Sequence, residues 1–257
     1  MQNIEQKKAE LARLKRKSKE GLTLLELVVV LTVLVALAGI VLPSLPNLLR
    51  QSHVAVCSTN IPELNKAVIM HSTLNLNQHP NNLDNLVDGT GAGEGLPGGS
   101  VAAYAGNLLV ATLTAGELES LSDIGITDVV LADWDENPTF GAHRGAPVAL
   151  TDTTDVFIAE DSHVAEVMGA PTIANSRFVV FGVGQQASIV GARAGGIFEA
   201  PVHFSDEAGM SPNDVYSRYV LVYRVFDDGE PAEFVGASAL HDDGLENVNE
   251  HIAEFYL

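Results

Sequence analysis

The chain has 257 residues, of which 46% are hydrophobic and 18% are charged. This composition excludes a disordered protein and fits one sizeable domain with an appendage, or two small domains. Residues 1–21 carry seven basic and three acidic residues out of totals of 14 and 33, so the remaining chain holds seven basic and 30 acidic residues. Such an acidic body disfavours nucleic acid binding, and the single cysteine, Cys57, excludes an intrachain disulfide.

Residues 22–42 form an apolar run of about the length needed to cross a bilayer as an α-helix. The basic residues before the run predict a cytoplasmic N-terminus, with the rest of the chain outside. A secretory signal fits less well, because the run is long and no small-x-small cleavage site follows it. Glu26 is the only ionisable residue in the run. A carboxylate is costly in lipid, so we expect Glu26 to have a partner.

The junction Gly21-Leu-Thr-Leu-Leu-Glu26, followed by the apolar run, resembles the leader junction of type IV pilins and type II secretion pseudopilins. This resemblance implies that a prepilin peptidase cuts between Gly21 and Leu22 and that Leu22 is then N-methylated. It also implies that Glu26 pairs with the N-terminal amine of a neighbouring subunit, which would offset the cost of its burial. Leu22 stands where the family more often has phenylalanine, and the leader is longer than the shortest in the family.

The predicted helix contains prolines at two places. Pro43 lies where many pilins carry a helix-bending proline, and with Pro46 it implies a kink or local melting. We predict that residues 22–74 form one transmembrane and stalk element, which would span about 80 Å if fully helical. Pro62 is expected to interrupt it or to begin a new turn. Apolar residues at helical spacing in the outer half are Leu48, Leu49, Val56, Leu64, Val68 and Ile69.

Residues 75–100 are predicted to be a glycine-rich connecting loop. Within them, Pro80–Gly89 resembles a stretch that follows the helix in pseudopilin-like proteins of planctomycete type. Residues 101–257 are predicted to be an acidic globular domain. Because strand-like runs follow one long helix without regular alternation, the predicted fold class is α+β, with the helix packed on a mainly antiparallel sheet as in type IV pilins.

Several elements of this domain are predicted from local patterns. Thr114 and Glu117 have the spacing of a capping box and predict a short helix that ends near Asp123. An acidic and apolar pattern predicts a terminal helix over Leu245–Tyr256. The predicted strands are Asp128–Ala132, Val156–Ala159, Arg177–Gly182, Tyr219–Phe226 and Phe234–Ala239.

Two glycine motifs formally match a dinucleotide fingerprint. The first, Gly93-x-Gly95-x-x-Gly98, follows no predicted strand. The second, Gly182-x-Gly184-x-x-Ala187, follows a strand, but the next residues contain too many glycines for the required helix. We therefore interpret it as a strand that ends in a glycine turn, and we predict no cofactor.

Metal and catalytic motifs are incomplete. His163-x-x-Glu166 and His251-x-x-Glu254 lack the second histidine of a zinc-protease helix. Cys57 has no evident base nearby and is interpreted as a packed thiol, with an interchain contact as the alternative. Three acidic clusters leave calcium open as a ligand, although each also fits a solvated turn. They are Asp133, Asp135 and Asn137; Asp227, Asp228 and Glu230; and Asp242, Asp243 and Glu246.

These observations favour a structural protein over an enzyme. The resemblance implies a subunit of a type IV pilus-like filament or a type II secretion pseudopilus. Its expected partners are the prepilin peptidase, itself or other pilins, and the inner membrane. The expected location is a single-pass inner membrane protein with the body in the periplasm or outside the cell. The alternative is a monomeric membrane-anchored binding module that does not assemble.

Overall fold

The structure is a computed structural model that describes residues 24–42, 45–87, 104, 106–131, 145–191, 195–203, 216, 218–241 and 244–246. The helices are α1 (Leu24–Val41), α2 (Leu45–Leu74), α3 (Ala115–Asp123) and α4 (Asp161–Met168). The strands are β1 (Leu83–Asp84), β2 (Leu108–Thr112), β3 (Asp128–Val130), β4 (Val148–Ala149), β5 (Asp155–Ala159), β6 (Ser176–Gly182), β7 (Val220–Phe226), β8 (Glu233–Leu240) and β9 (Leu245–Glu246). The chain divides into two compact units, Met1–Leu49 and Arg50–Leu257.

The second unit is built on one mixed sheet with the order β4-β3-β1-β6-β7-β8-β9. Strand β6 has β7 on one side and both β5 and β1 on the other, and β5 in turn pairs with β2. Among the named strands only β1 and β3 pair in parallel. The protein is therefore α+β with a mostly antiparallel sheet and an apolar N-terminal helix, and this part of the predicted fold class is confirmed.

The central strands of this sheet are buried on both faces. Val179 and Phe181 of β6 belong to an apolar cluster that includes residues of α2 and α3. The alternate residues, Phe178 and Val180, belong to a second cluster that includes Val164 of α4. Because successive side chains of a strand point to opposite faces, the apolar run of β6 supplies both clusters.

Helix α2 buries one stripe against the first of these faces. The stripe consists of Cys57, Ile61, Leu64 and Val68, spaced four, three and four residues apart. This spacing keeps one face of an α-helix in contact with the sheet. Hydrogen bonds from Ala237 N to Asn65 Oδ1 (2.7 Å) and from Asn60 Nδ2 to the Tyr219 hydroxyl (3.3 Å) attach the helix further.

The predicted packing side of α2 was partly wrong. Leu64 and Val68 are buried, but Val56 and Ile69 are exposed, and the side chains of Leu48 and Leu49 lie outside those that the structure describes. The buried stripe begins at Cys57 rather than Val56 and ends at Val68 rather than Ile69, because contact with the sheet selects the face. Pro62 was also wrongly expected to interrupt the helix, since α2 continues through it. The ring of Pro62 lies on the exposed side.

The predicted capping box is confirmed at the start of α3. The Glu117 amide donates to Thr114 Oγ1 (3.2 Å), and the Thr114 amide donates to Glu117 Oε2 (2.8 Å). The same buried carboxylate accepts hydrogen bonds from Arg177 of β6, one of them from Nε at 2.6 Å. This ion pair raises the pKa of Arg177 and joins α3 to the sheet.

The five predicted strands correspond to β3 and β5–β8, with ends that differ by one or two residues. The terminal helix was wrong where the structure describes it, because Leu245 and Glu246 form β9 against the end of β8. The described part of the predicted 75–100 loop contains β1. The glycine-rich residues 88–100 lie outside the described residues.

Candidate functional site

The first candidate site is the N-terminal helix. Every side chain of α1 is exposed in the isolated chain, and α1 is long and apolar enough to cross a membrane. Glu26 lies in its first turn, where a carboxylate interacts favourably with the positive end of the helix dipole. Gly39 has no atom within 4 Å of a β-carbon built on it, so this part of the helix surface is smooth and open.

The structure covers only part of the predicted processing and assembly residues. Gly21 and Leu22, the predicted cleavage and methylation residues, lie outside the described residues, as does Pro43. Helix α1 ends at Val41 and α2 begins at Leu45, so Pro46 lies in the first turn of α2. A proline is tolerated there because the first turn of a helix has no internal acceptor for its N–H groups.

A second candidate site is a buried series of polar contacts at the seam between α2 and the sheet. Cys57 Sγ lies 3.0 Å from His203 Nδ1 and accepts a hydrogen bond from the Tyr219 hydroxyl at 3.2 Å. The other ring nitrogen of His203, Nε2, lies 3.1 Å from His241 Nε2. His241 Nε2 lies 2.7 Å from Glu246 Oε2. All five side chains are buried.

These contacts correct the prediction for Cys57. It is a packed thiol, as expected, but the expectation that no base lies nearby was wrong because His203 contacts its sulfur. The two residues are 146 positions apart, and His203 and His241 are 38 apart. No local spacing in the sequence could have revealed this series of contacts.

A third buried cluster surrounds Asp84 at the end of β1. Its Oδ2 accepts a hydrogen bond from the Tyr216 hydroxyl at 3.0 Å, and Oδ1 has no donor among the described residues. Burial raises the pKa of Asp84 to about 8, although the Tyr216 hydrogen bond and the charge of Arg218 oppose the shift. Asp84 is therefore mainly protonated at neutral pH, as expected for a carboxyl group taken out of water.

The Asp84 cluster explains the second glycine motif. A β-carbon at Gly182 would lie 1.9 Å from the Tyr216 hydroxyl, and one at Gly184 would lie 2.2 Å from both carboxylate oxygens of Asp84. Strand β6 ends at Gly182, and no helix follows before residue 191. The interpretation as a strand that ends in a glycine turn is confirmed, and the glycines make room for two buried polar side chains.

Of the three acidic clusters, the structure describes one in full. Asp227 Oδ1 accepts a hydrogen bond from Thr114 Oγ1 (2.6 Å), and Asp228 Oδ1 accepts one from the Glu230 amide (3.4 Å). These are the contacts of an acidic turn. The other two clusters lie wholly or partly outside the described residues. In the part of the chain that the structure describes, no three His, Cys, Asp or Glu side chains are grouped to hold a metal ion.

Comparison with known proteins gave no relative. No family model matches the chain, and neither the curated proteins nor the solved structures contain a significant match.

Proposed function

We propose that this chain is a structural subunit of a type IV pilus-like filament or a type II secretion pseudopilus. The observation that carries the proposal is the exposed apolar helix α1 with Glu26 in its first turn. The apolar run that contains α1 begins directly after a basic segment that ends in Gly21. In this proposal a prepilin peptidase removes residues 1–21, and the new N-terminal amine of Leu22 is methylated.

The chemistry of α1 supports a role in assembly. Its apolar side chains gain about 25 cal/mol for each Å² removed from water, so a bilayer or neighbouring helices would stabilise it strongly. A carboxylate near the end of such a helix costs less than one at its centre, where the cost is about 2.5–3.5 kcal/mol. Pairing Glu26 with the ammonium of a neighbouring Leu22 would offset that cost and set the axial position of adjacent subunits.

The second unit also suits a filament subunit. Helix α2 uses one stripe to pack on an antiparallel sheet, and that sheet provides its own core. The body could therefore stay folded while α1 moves from the bilayer into a bundle of helices. In this arrangement the acidic body would face outward, in the periplasm or outside the cell.

A first experiment is the intact mass and N-terminal sequence of the protein from membranes of its native host. A chain that starts at Leu22 and carries one added methyl group supports the proposal. A chain that still starts at Met1, in cells with active prepilin peptidase, contradicts it.

A second experiment separates processing from assembly. We expect Glu26→Ala to leave cleavage intact but to abolish sheared filaments, because the intersubunit ion pair is lost. Glu63→Ala is the matched control, since Glu63 is an exposed carboxylate on α2 and its loss should leave filament yield unchanged. Equal filament yield from both variants would rule out the assembly role of Glu26.

The alternative is a monomeric, membrane-anchored binding module. Its supporting observation is an open groove of about 360 Å³ in the second unit, lined partly by Asn60, Phe198 and Glu199. Phe198 is 87% exposed, which is unusual for a side chain of its size. This alternative predicts an uncleaved leader and no effect of Glu26→Ala, so the same two experiments decide between the functions.

A further inference from the structure

Three histidines make contacts at the end of β8 that pairs with β9. Each of these contacts depends on the protonation state of the histidine. His163 Nε2, on α4, accepts a hydrogen bond from the Leu245 amide at 2.9 Å. His203 Nε2 and His241 Nε2 lie 3.1 Å apart. We call His163, His203 and His241 the histidine corner. Through its contacts the corner joins α2, α4 and the β8–β9 pair.

The contacts of the histidine corner cannot form when all three of its imidazole rings are protonated. A nitrogen that accepts a hydrogen bond carries no proton, so His163 must be neutral to accept from Leu245. Between two Nε2 atoms at 3.1 Å, only one can carry the proton. If both His203 and His241 were imidazolium ions, two N–H groups and two positive charges would face each other in a buried site.

Other titratable groups face the pair within the described residues. They come from α2 (Cys57), from the residue before β7 (Tyr219) and from β9 (Glu246). Glu246 favours a proton on His241, because its carboxylate oxygen is 2.7 Å from that ring nitrogen. In the attached state the two facing Nε2 atoms therefore carry one proton between them. A second proton at these two atoms would break the contact between the rings. Tyr219 stays neutral in acid, and burial raises its pKa.

We propose that the histidine corner is an acid-sensitive attachment, which releases β9 and the Cys57 side of α2 when the surrounding medium becomes acidic. The direction of the pH dependence is set by the number of protons that each state binds. The released state lets both rings of the pair and His163 titrate like exposed imidazoles, whose pKa is near 6.5, so it binds more protons than the attached state. Attachment is therefore complete above about pH 7 and is lost as the pH falls through about 6. This inference does not depend on filament assembly.

The test is hydrogen exchange of the full-length chain in detergent between pH 7.5 and pH 5.5, corrected for intrinsic exchange rates. We expect protection in β9 and around Cys57 to fall about tenfold per pH unit below pH 6.5 for each added proton, and to recover when the pH is raised. Protection in β6 and β7, which are buried on both faces, should change much less. Protection of β9 that is independent of pH would overturn the proposal.

Variants identify the residues responsible. His203→Gln and His163→Gln each keep a polar side chain that does not titrate, so each should reduce the pH dependence of β9 protection. The matched control is His79→Gln. His79 contacts Phe234 at the other end of β8, so its loss should leave the pH dependence of β9 unchanged. An unchanged pH dependence in both corner variants would contradict the proposal, as would a stoichiometric metal ion bound by the purified protein.

Discussion

Helix α1 and the sheet-packed part of α2 differ in how their apolar side chains are buried. All the side chains of α1 are exposed in the isolated chain, so no other described residue buries its apolar surface. In α2 a single stripe is apolar and buried, and residues of the same unit cover it. The contrast implies that the fold of the second unit is encoded within it, whereas the state of α1 depends on its surroundings.

The largest effect should come from separating the two regions. A chain that begins at Arg50, the start of the second unit, should move entirely from the membrane fraction to the soluble fraction. It should keep cooperative thermal unfolding, because the buried stripe of α2 is retained. Circular dichroism and fractionation measure both outcomes. Aggregation without cooperative unfolding would show that the second unit depends on residues before Arg50.

A smaller effect is expected within α2, where two isoleucines allow a matched comparison. Ile61 is 4% exposed and Ile69 is 58% exposed. Ile61→Ala should lower the free energy of unfolding by about 2–5 kcal/mol, through lost burial and a residual cavity. Ile69→Ala should change it by about 0.5 kcal/mol or less. Denaturant unfolding of the Arg50–Leu257 chain compares them, and equal losses would mean that the buried side of α2 is misassigned.

An effect of comparable size, spread over several pH units, concerns the pH dependence of the second unit. Because the pKa of Asp84 is raised to about 8 from an ordinary 3.8, the folded state binds more protons than the unfolded state between these values. The contribution of Asp84 to stability is present below about pH 4 and is lost as the pH rises to about 8.

Replacing Asp84 by Asn should remove this contribution, whose slope is at most about 1.4 kcal/mol per pH unit. Unfolding curves at pH 5 and pH 7.5 should show that the variant loses less stability than the native chain over this interval. Asp123→Asn, at the end of α3, serves as the control for a carboxylate on the surface. An identical pH dependence in the native chain and in Asp84→Asn would mean that Asp84 is ionised in the folded protein.

Local signals in the sequence predicted much of the second unit. The runs that form β5, β6 and β7 are rich in valine and phenylalanine and are bounded by turn residues. Local sequence alone is therefore enough to predict these strands. The cap of α3 depends only on Thr114 and Glu117. The long apolar helix was evident from composition alone.

The features that were missed depend on distant partners. Helix α4 has no side-chain hydrogen bond at its N-cap, Glu160, so no start signal marks it. Strands β1 and β9 have two residues each and exist because neighbouring strands pair with them. The seam at Cys57 and the cluster at Asp84 join side chains more than 100 positions apart. Only the tertiary fold brings such residues together.

The attachment of α2 has a consequence for how the protein is made. Its anchoring contacts, Tyr219 with Cys57 and Ala237 with Asn65, span 162 and 172 residues of the chain. At a synthesis rate of about 5–20 residues per second, about 8–35 seconds pass between the synthesis of the α2 stripe and that of the residues that contact α2. During that time the nascent chain presents two unsatisfied apolar surfaces, α1 and the stripe. The stripe of α2 therefore needs shielding, for example by a chaperone, until β7 and β8 are synthesised.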